Sequence, residues 1–322
     1  MRRLTNDLEA YFWISLSADG RTIATRQQRI FSHLWVLPDG DLRKARQLTL
    51  GGRNLDGYAG LAWTPDDKII YSGFSNNITD IYSINADGSN RVQLTSNAGQ
   101  DNTFPTVSPD GRFIAFISNQ TGTPQIWRMD IDGRNQKQMT FFEDPKDRAQ
   151  SPTFSPDGSE IFFIKRGADS TAIWKIPSVG GEAAPASELN NVAPEGFIAF
   201  SPDGRFLAYH QGADKSESSR ETQTYRIGVL PTGIGGAAQF FDLPMRRPTV
   251  QWTGETTFDY SAGIFNSSQI LRQSLTAGGA SQKIIDFPDR IFNFAWSFDR
   301  RNLVVARGKQ NGDALLITNL PE

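Results

Sequence analysis

Charged and polar residues lead into several short β-like segments of this sequence, and they offer the chemistry of a binding site. Carboxylates, guanidiniums and amides held close together could bind a peptide terminus, a charged small molecule or a cation. The candidate ligand-binding residues are Glu9, Asp56, Tyr58, Asp101, Asn102, Asp147, Arg148, Gln150, Glu195, Arg246, Arg247, Asp289 and Arg290. The alternative interpretation is that they are solvated loop charges that pair with one another.

Residues that usually carry covalent or metal chemistry are scarce. The sequence has no cysteine, and its two histidines, His33 and His210, have no Asp and Ser partners at a recognisable spacing. It also lacks the Gly-x-Ser-x-Gly motif of many hydrolases. We therefore expect no catalytic residue, no metal site and no cofactor. The alternative is an enzyme, such as a lyase, lactonase or glycoside hydrolase, that uses Asp56, Asp147 and Glu195.

Charge and hydropathy narrow the classes of partner. A formal net charge of −2 over 322 residues argues against nucleic-acid binding, which requires a basic surface. No apolar run approaches the roughly 20 residues that a membrane-spanning helix needs. The first ten residues contain no apolar segment of the kind found in secretory signal peptides. We expect a protein or peptide ligand, no nucleic acid and no membrane insertion.

A short turn motif recurs about every 45 residues along the whole chain. Its most regular form is Ser-Pro-Asp-Gly, in which Pro presets φ, Asp caps the turn and Gly accepts a positive φ. The Ser or Thr residues that begin the copies, called anchors below, are Ser17, Thr64, Ser108, Ser155, Ser201, Thr253 and Ser297. Because seven copies at one period cannot all be active sites, we interpret the motif as structural.

The segments between anchors predict the fold. Each unit contains short runs of β-branched and aromatic residues separated by Asp-Gly turns, which is typical of antiparallel hairpins. Four strands per unit of this length is the period of a propeller blade. We therefore predict an all-β, single-domain, seven-bladed β-propeller over residues 1–322, with four antiparallel strands in each blade.

The last unit has only three of its four expected strands, at residues 291–297, 302–307 and 314–320. The sequence Arg-Arg-Leu-Thr at residues 2–5 resembles the last strand of earlier units, for example Arg-Gln-Leu-Thr at residues 46–49. We therefore predict that the N-terminal strand completes the seventh blade. This arrangement would remove the open edges of an incomplete ring.

The position of each loop in the repeat predicts which face of the propeller binds a ligand. The anchor turns and the Asp-Gly turns should lie on one face, and the more variable loops on the other, where the candidate ligand-binding residues would ring the mouth of a central channel. Two residues before each anchor, mostly small side chains should pack near the axis: Ser15, Ala62, Thr106, Thr153, Ala199, Gln251 and Ala295. The aromatic residues directly before the anchors should pack between blades: Trp63, Phe154, Phe200, Trp252 and Trp296.

Two loops could add a contact surface. The polar segment 211–224 is interpreted as a mobile loop or, alternatively, as an element that binds a partner. In the loop 140–150, Phe141 and Phe142 could form an exposed apolar contact, although packing beneath the neighbouring blade is the favoured interpretation.

The motifs resemble one known family. Ser-Pro-Asp-Gly, Arg-Phe-Ile-Ala-Phe, Asp-Gly-Ser-Asn and Gln-Leu-Thr are similar to the Pro-Asp-type, WD40-like repeats of the bacterial periplasmic TolB proteins. Segments 60–72, 126–133, 241–244 and 292–320 resemble, more closely, the C-terminal propellers of bacterial serine/threonine kinases and winged-helix regulators. This resemblance implies a non-catalytic sensor or scaffold outside the cytoplasm, with any signalling domain beyond this chain. The alternative is a free-standing, TolB-like periplasmic scaffold.

Overall fold

The chain is almost entirely β-structure in its computed structural model. The structure describes residues 10–51, 55–75, 78–96, 101–189, 192, 194–211, 225–233, 236–243, 248–263, 268–276 and 280–318. Within these ranges it contains 25 strands. Two single-turn 3-10 helices span Leu42–Lys44 and Ser187–Leu189. None of the helices in the described ranges has the length and apolar character needed to cross a membrane.

The strands form six antiparallel sheets. The first three strands are β1 (Ala10–Leu16), β2 (Ile23–Pro38) and β3 (Arg46–Gln47). Sheet 1 contains β4 (Leu61–Trp63), β5 (Lys68–Ser75), β6 (Ile78–Asn85) and β7 (Val92–Gln93). Sheet 2 contains β8 (Asn102–Val107), β9 (Phe113–Ser118), β10 (Gln125–Asp130) and β11 (Lys137–Gln138). Sheet 3 contains β12 (Arg148–Phe154), β13 (Glu160–Arg166), β14 (Thr171–Pro177) and β15 (Ala184–Pro185).

The remaining strands complete the set. Sheet 4 contains β16 (Pro194–Phe200), β17 (Phe206–Gln211), β18 (Tyr225–Pro231) and β19 (Gln239–Leu243). Sheet 5 contains β20 (Val250–Trp252), β21 (Thr257–Ala262), β22 (Ser268–Ser274) and β23 (Gln282–Phe287). Sheet 6 combines β24 (Arg290–Trp296) and β25 (Asn302–Ile317) with β1, β2 and β3.

The anchor turn joins the first strand of a sheet to the second. In sheet 3 the Ser155 hydroxyl donates to Asp157 at 2.6 Å and accepts from the backbone N–H of Glu160 at 3.0 Å. Gly158 takes a φ of 73°, a left-handed conformation that glycine adopts without a steric penalty. The structure therefore confirms that the motif is a strand-connecting turn.

The core is divided among six apolar clusters, and each lies between two consecutive sheets. One cluster joins Ile70 and Ile81 of sheet 1 to Ile114 and Phe116 of sheet 2. Four more follow in the same way from sheet 2 to sheet 6. The last cluster packs Val304 of sheet 6 against sheet 1 and so returns to the start. This cyclic packing is that of a propeller whose blades are the six sheets.

The predicted count of seven blades is not confirmed, because the first and last units of the repeat merge. β2 pairs with β25 along its whole length, from Ile23 opposite Ile317 to Pro38 opposite Asn302. β25 pairs in turn with β24, and β3 pairs with β2. Three strands from the start of the chain and two from its end therefore make one sheet, so that seven anchors correspond to six sheets in the described part of the chain.

The predicted closing strand at residues 2–5 lies outside the described residues. Within the described residues the ends of the chain nevertheless meet in one sheet, in which β2 pairs with both β25 and β3. The two C-terminal strands predicted at 302–307 and 314–320 are instead a single strand that continues to Ile317. The pairing with β2 across residues 309–317 keeps this segment extended.

Sheet 6 continues beyond the ring as a three-stranded extension. β24 pairs with β25 only as far as Gly308, whereas β1, β2 and the rest of β25 pair onward from that point. Because Trp296 and Leu303 lie at the anchor-turn end of this pair, the extension leaves from the opposite face. Its apolar residues Trp13, Ile14 and Leu316 are 83%, 74% and 72% exposed.

Candidate ligand-binding channel

A cavity of about 600 Å³ lies where the first strands of the six sheets converge. Its walls come from β4, β8, β12, β16, β20 and β24 and from the turns that follow them. Cavities of this size are typical of ligand sites that bury most of a bound group. We call this cavity the channel and describe its lining as three rows, counted from the anchors.

The distal row stands four residues before each anchor, at the end away from the anchor turns. It consists of Gly60, Phe104, Ser151, Phe197, Thr249 and Asn293. The middle row, two residues before each anchor, consists of Ala62, Thr106, Thr153, Ala199, Gln251 and Ala295. Six of the seven residues predicted near the axis are therefore found there, and the seventh, Ser15, belongs to the extension.

Bulges in the first strands set the direction of the distal row. The register of β8 shifts between Thr103 and Thr106, and Phe104 between them has a φ of 53°. Ser151 has a φ of 50° at the matching shift in β12. A bulge turns its residue away from the regular pleat. It thereby brings these side chains to the channel, where Phe104 is 47% exposed.

Hydrogen bonds link residues of the distal row to the neighbouring sheet, either to a row member or to the residue directly before one. The N–H of Phe104 donates to the carbonyl of Ala59 at 2.7 Å, and Thr249 donates to the Asn293 side chain at 3.0 Å. The Ser151 hydroxyl donates to the carbonyl of Gly196. Backbone groups and short side chains make these bonds. Hydrogen bonds between neighbouring sheets therefore fix the position of the residues at the distal end of the channel.

The anchor-turn row lies at the other end and comes from the turns of sheets 2, 3, 4 and 6. Pro109, Pro156, Pro202 and Phe298 contribute to it, together with Arg300. A Cβ added to Gly111 would lie 3.0 Å from Pro65 of the preceding sheet, and one added to Gly204 would lie 3.4 Å from Pro156. Gly111 therefore serves two purposes, because it accepts the positive φ and leaves room for Pro65, whereas at Gly204 the positive φ is what favours glycine.

The candidate ligand-binding residues do not line the channel where the structure describes them. Glu9, Arg246 and Arg247 lie outside the described residues. Asp147 forms an ion pair with Lys165 at 2.8 Å, and Asp289 forms one with Arg307 at 2.7 Å. Arg290 donates to the Gln310 side chain. For these three residues the alternative interpretation, pairing within the protein, describes their contacts.

Four other candidates lie in sheets 1 and 2 or beside them. Asp56 is 1% exposed, and its carbonyl accepts from the Ser32 hydroxyl at 2.8 Å. Asn102 is 1% exposed and donates to the Asp80 carboxylate at 3.1 Å. Asp101 accepts from the backbone N–H of Thr79 at 3.2 Å. Tyr58, 42% exposed, packs on Phe292 with ring centroids 5.1 Å apart.

The last candidates remain accessible on the face of the variable loops. Arg148 and Glu195 are exposed, and Gln150 is half-buried. The carbonyl of Glu195 accepts from Arg166 at 3.2 Å. Binding of a ligand by these residues stays a prediction. No group of three or more Asp, Glu or His side chains suited to a metal ion occurs among the described residues.

The sequence reasoning missed the distal row and the anchor-turn row. Phe104, Phe298 and Arg300 reach the channel although none of them belongs to the predicted mouth. The signal that could have found them is the spacing, since Phe104 stands four residues before its anchor, like the rest of the distal row, and Phe298 stands one residue after its anchor, like Pro109, Pro156 and Pro202. The predicted aromatic row does pack between sheets, as Trp63, Trp252 and Trp296 show.

The two phenylalanines of the loop 140–150 have different environments. Phe142 packs on Phe163 with ring centroids 6.2 Å apart, as the favoured interpretation required. Phe141 is 73% exposed. Residues 212–224 of the polar loop lie outside the described residues. His210 is 3% exposed and stacks between Phe197 and Tyr225, which agrees with a structural role.

Comparisons with known proteins place the chain among bacterial propellers. An uncharacterized protein of Agrobacterium fabrum is 42% identical over 79 residues, which are 24% of this chain and 27% of that protein. The Tol-Pal system protein TolB of Bordetella pertussis is 42% identical over 57 residues, 17% of this chain and 13% of that protein. The matched segments thus span less than a third of these relatives.

A solved structure and a family model extend the match. TolB from Acinetobacter baumannii superposes with a TM-score of 0.56 at 19% identity, covering 95% of this chain and 66% of that one. At this identity the likeness shows the fold alone. The family model described as the TolB beta propeller domain matches residues 53–224, more than half of the chain. The chain therefore belongs to the TolB β-propeller domain family.

Proposed function

We propose that this chain is a non-catalytic scaffold that binds a protein partner and holds a segment of it in the channel. The observation that carries the proposal is the lining of the channel, in which aromatic and aliphatic side chains alternate with hydroxyls and amides. Such a mixture suits peptide groups, because the apolar surface contributes affinity and a few polar groups orient the chain. No carboxylate lines the channel within the described residues, so the lining offers no general acid or base.

Phe104 provides the sharpest test of this site. It is 47% exposed and lines the distal end of the channel, where its ring could pack against an entering segment. Exposed aromatic side chains of this kind are frequent anchors in protein interfaces. Phe141 offers a matched control, since it is 73% exposed but lines a groove near Trp174 outside the channel.

The experiment selects binders from a displayed random-peptide library on the wild-type chain and measures the affinity of the selected peptides by calorimetry. We expect Phe104→Ala to weaken binding about tenfold or more and Phe141→Ala to leave it unchanged. Circular dichroism would verify that both variants are folded. Selection of no peptide, or an equal loss in the two variants, would contradict the proposal. A loss in Phe141→Ala alone would instead assign binding to the outer groove.

The wider setting of the chain is part of this proposal. The name of the Bordetella relative, a Tol-Pal system protein, supports a scaffold that assembles with other proteins. Together with the resemblance seen in the sequence, it favours a free-standing scaffold outside the cytoplasm. Attachment to a kinase or a winged-helix domain stays a prediction from the sequence. Fractionation of the native organism, followed by detection of the chain and its apparent mass, would test location and attachment together.

A further inference from the structure

The anchor turn of sheet 6 departs from the repeat at two positions. Phe298 stands where sheets 2, 3 and 4 have Pro109, Pro156 and Pro202. Arg300 stands where the same sheets have glycine, and it adopts the same left-handed conformation, with a φ of 64°. An L-residue in this conformation is disfavoured, because its Cβ approaches the following carbonyl oxygen. Both departures face the channel, which makes this turn unlike the others in chemistry but not in backbone shape.

The turn of sheet 5 has no proline to pack against the turn of sheet 6. In sheets 2 and 4 the glycine packs against the proline of the preceding sheet. Sheet 5 has Gly254 after its anchor, and a Cβ added there would approach only Thr257, at 3.8 Å. The Arg300 side chain extends across this end of sheet 5 and donates from Nη1 to the carbonyl of Trp252 at 2.6 Å. This bond orients the guanidinium, and its other donors bond to no other residue in the part of the chain that the structure describes.

The charge of Arg300 is not neutralised by a carboxylate in the described part of the chain. The acidic group that acts on its charge is Asp259, whose side chain is fully buried and accepts two bonds from Arg272, at 2.7 and 2.9 Å. Asp259 also accepts from Trp296 at 3.0 Å. The cluster thus holds two guanidiniums for one carboxylate. Burial lowers the pKa of Arg300, with Asp259 opposing the shift, but a guanidinium stays charged at neutral pH.

The surroundings of Arg300 strengthen its attraction for an anion. It is the one charged side chain that lines the channel among the described residues. Phe298, 52% exposed, and the prolines of the anchor-turn row give this end an apolar wall. A charge beside such a wall is screened less than one in open water. A guanidinium matches a carboxylate in both shape and number of donors.

We propose that the anchor-turn end of the channel binds a carboxylate of the ligand through Arg300. The inference rests on the proposed function, because it assigns the chemistry of one group of the bound segment. The carboxylate belongs either to a chain terminus or to an Asp or Glu side chain, and the two sources offer Arg300 the same group. The apolar wall formed by Phe298 lies beside it and favours a carboxylate that carries an apolar neighbour.

The test uses small probes, so that it does not depend on a selected peptide. N-acetyl-phenylalanine carries a terminal carboxylate beside an aromatic ring, and N-acetyl-phenylalaninamide is its uncharged counterpart. N-acetyl-glutamate diamide, with a free side-chain carboxylate and no terminal one, represents the second source. Each probe is titrated into the ¹⁵N-labelled chain, and the Nε–Hε signal of Arg300, identified by its absence in Arg300→Lys, is followed by NMR.

We expect the carboxylate probes to shift the Arg300 signal and the neutral amide to bind at least tenfold more weakly, as for loss of a charge-assisted hydrogen bond. Arg300→Gly restores the glycine of the regular repeat and removes the steric penalty of a positive φ, so this variant should fold. It should bind N-acetyl-phenylalanine and its amide with equal affinity. Arg112→Lys is the control, since Arg112 is exposed on another anchor turn and should not affect binding. The stronger of the two carboxylate probes identifies the source.

Two results would overturn the inference. Equal affinity of wild type for acid and amide would show that Arg300 does not recognise the carboxylate, and equal acid binding by Arg300→Gly would place recognition elsewhere. The proposed function would survive either result if selected peptides still depended on Phe104. Conversely, carboxylate binding at Arg300 without any peptide binding would retain the anion site and reject the peptide-binding channel.

Discussion

At the residue scale, the anchor turn shows why the same few residues recur. In each regular copy the serine hydroxyl donates to the aspartate and accepts from the N–H that begins the second strand, as for Ser108 with Asp110 and Phe113. The glycine meets both the φ requirement and the contact with the neighbouring proline. The motif is therefore a unit of local structure and of ring packing at once.

These turns make the stability of the fold depend on pH. The Ser201 hydroxyl, assisted by Arg205, lowers the pKa of Asp203 to about 2, and serine hydroxyls likewise lower the pKa of Asp110 and Asp157. A carboxyl with a lowered pKa in the folded state stabilises the fold at pH values above its unfolded pKa, near 3.8. That stabilisation is lost as the pH falls from about 4 towards 2.

We therefore expect Asp203→Asn to lower the melting temperature at pH 7 and to melt close to the wild type at pH 2. The difference arises because asparagine cannot carry the charge that the turn stabilises. Melting temperatures of both proteins at pH 7, 4, 3 and 2 would measure it. A difference that stays constant, or grows as the pH falls, would show that the charge of Asp203 does not contribute. Asp157→Asn should repeat the pattern.

At the element scale, sheet 6 differs from the others because it combines both ends of the chain. The long strands β2 and β25 belong to the ring at one end and to the extension at the other. Gly308 marks the transition, since it is the last residue of β25 that pairs with β24 and it also pairs with Ser32. The backbone of β2 approaches so closely here that an added Cβ would meet Phe31 O and Ser32 Cα.

A single methyl group should therefore damage this sheet. We expect Gly308→Ala to reduce the free energy of unfolding by about 3 kcal/mol, because the strands must separate to admit the side chain. Gly312→Ala in the same strand is the control: its Cβ would meet only the flexible end of Arg26, and we expect a change below about 1 kcal/mol. Urea titrations of both variants would decide. Equal effects of the two substitutions would show that β2 and β25 can admit a methyl group at position 308 without loss of stability.

At the scale of the whole molecule, the six sheets close upon themselves. Trp63 of sheet 1 donates from Nε1 to the carbonyl of Ala295 in sheet 6 at 2.9 Å. Trp252 of sheet 5 donates in the same way to Ala199 of sheet 4 at 3.0 Å. Both side chains are 3% exposed. The contact between sheets 6 and 1 thus has the same tryptophan-to-carbonyl hydrogen bond as the contact between sheets 4 and 5.

This equivalence predicts equal energetic costs. We expect Trp63→Ala and Trp252→Ala each to reduce the free energy of unfolding by about 3–5 kcal/mol, because each creates a large cavity and leaves a carbonyl of the neighbouring sheet without its tryptophan donor. Chemical denaturation of the two variants provides the comparison. If the ring is open between sheets 6 and 1, Trp63→Ala will cost clearly less than Trp252→Ala.

Particular residues show which features of the fold and of the candidate site could be predicted from the sequence. The repeat predicted the turns, the antiparallel strands, the small residues near the axis and the aromatic residues between sheets, because these depend on spacing within one unit. It predicted that the two ends of the chain share one sheet, but it did not predict that the units at Ser17 and Ser297 merge, because the period of the anchors does not say which strands from the two ends will pair. The residues chosen for the mouth were polar, and several instead pair with neighbours such as Lys165 and Arg307.

The sequence by itself determined the β-propeller architecture and the order of strands and turns within each unit. These features depend on interactions among residues close together in the sequence, namely the bonds within a turn and the alternation of apolar side chains along a strand. Only the tertiary structure decided the number of sheets, the course of β2 and β25, and the side chains that reach the channel. These depend on which distant strands meet and on the space that they leave between them. Arg300 illustrates the difference: its place in the repeat is visible in the sequence, but its position at the channel and its lack of a carboxylate partner among the described residues are properties of the assembled ring.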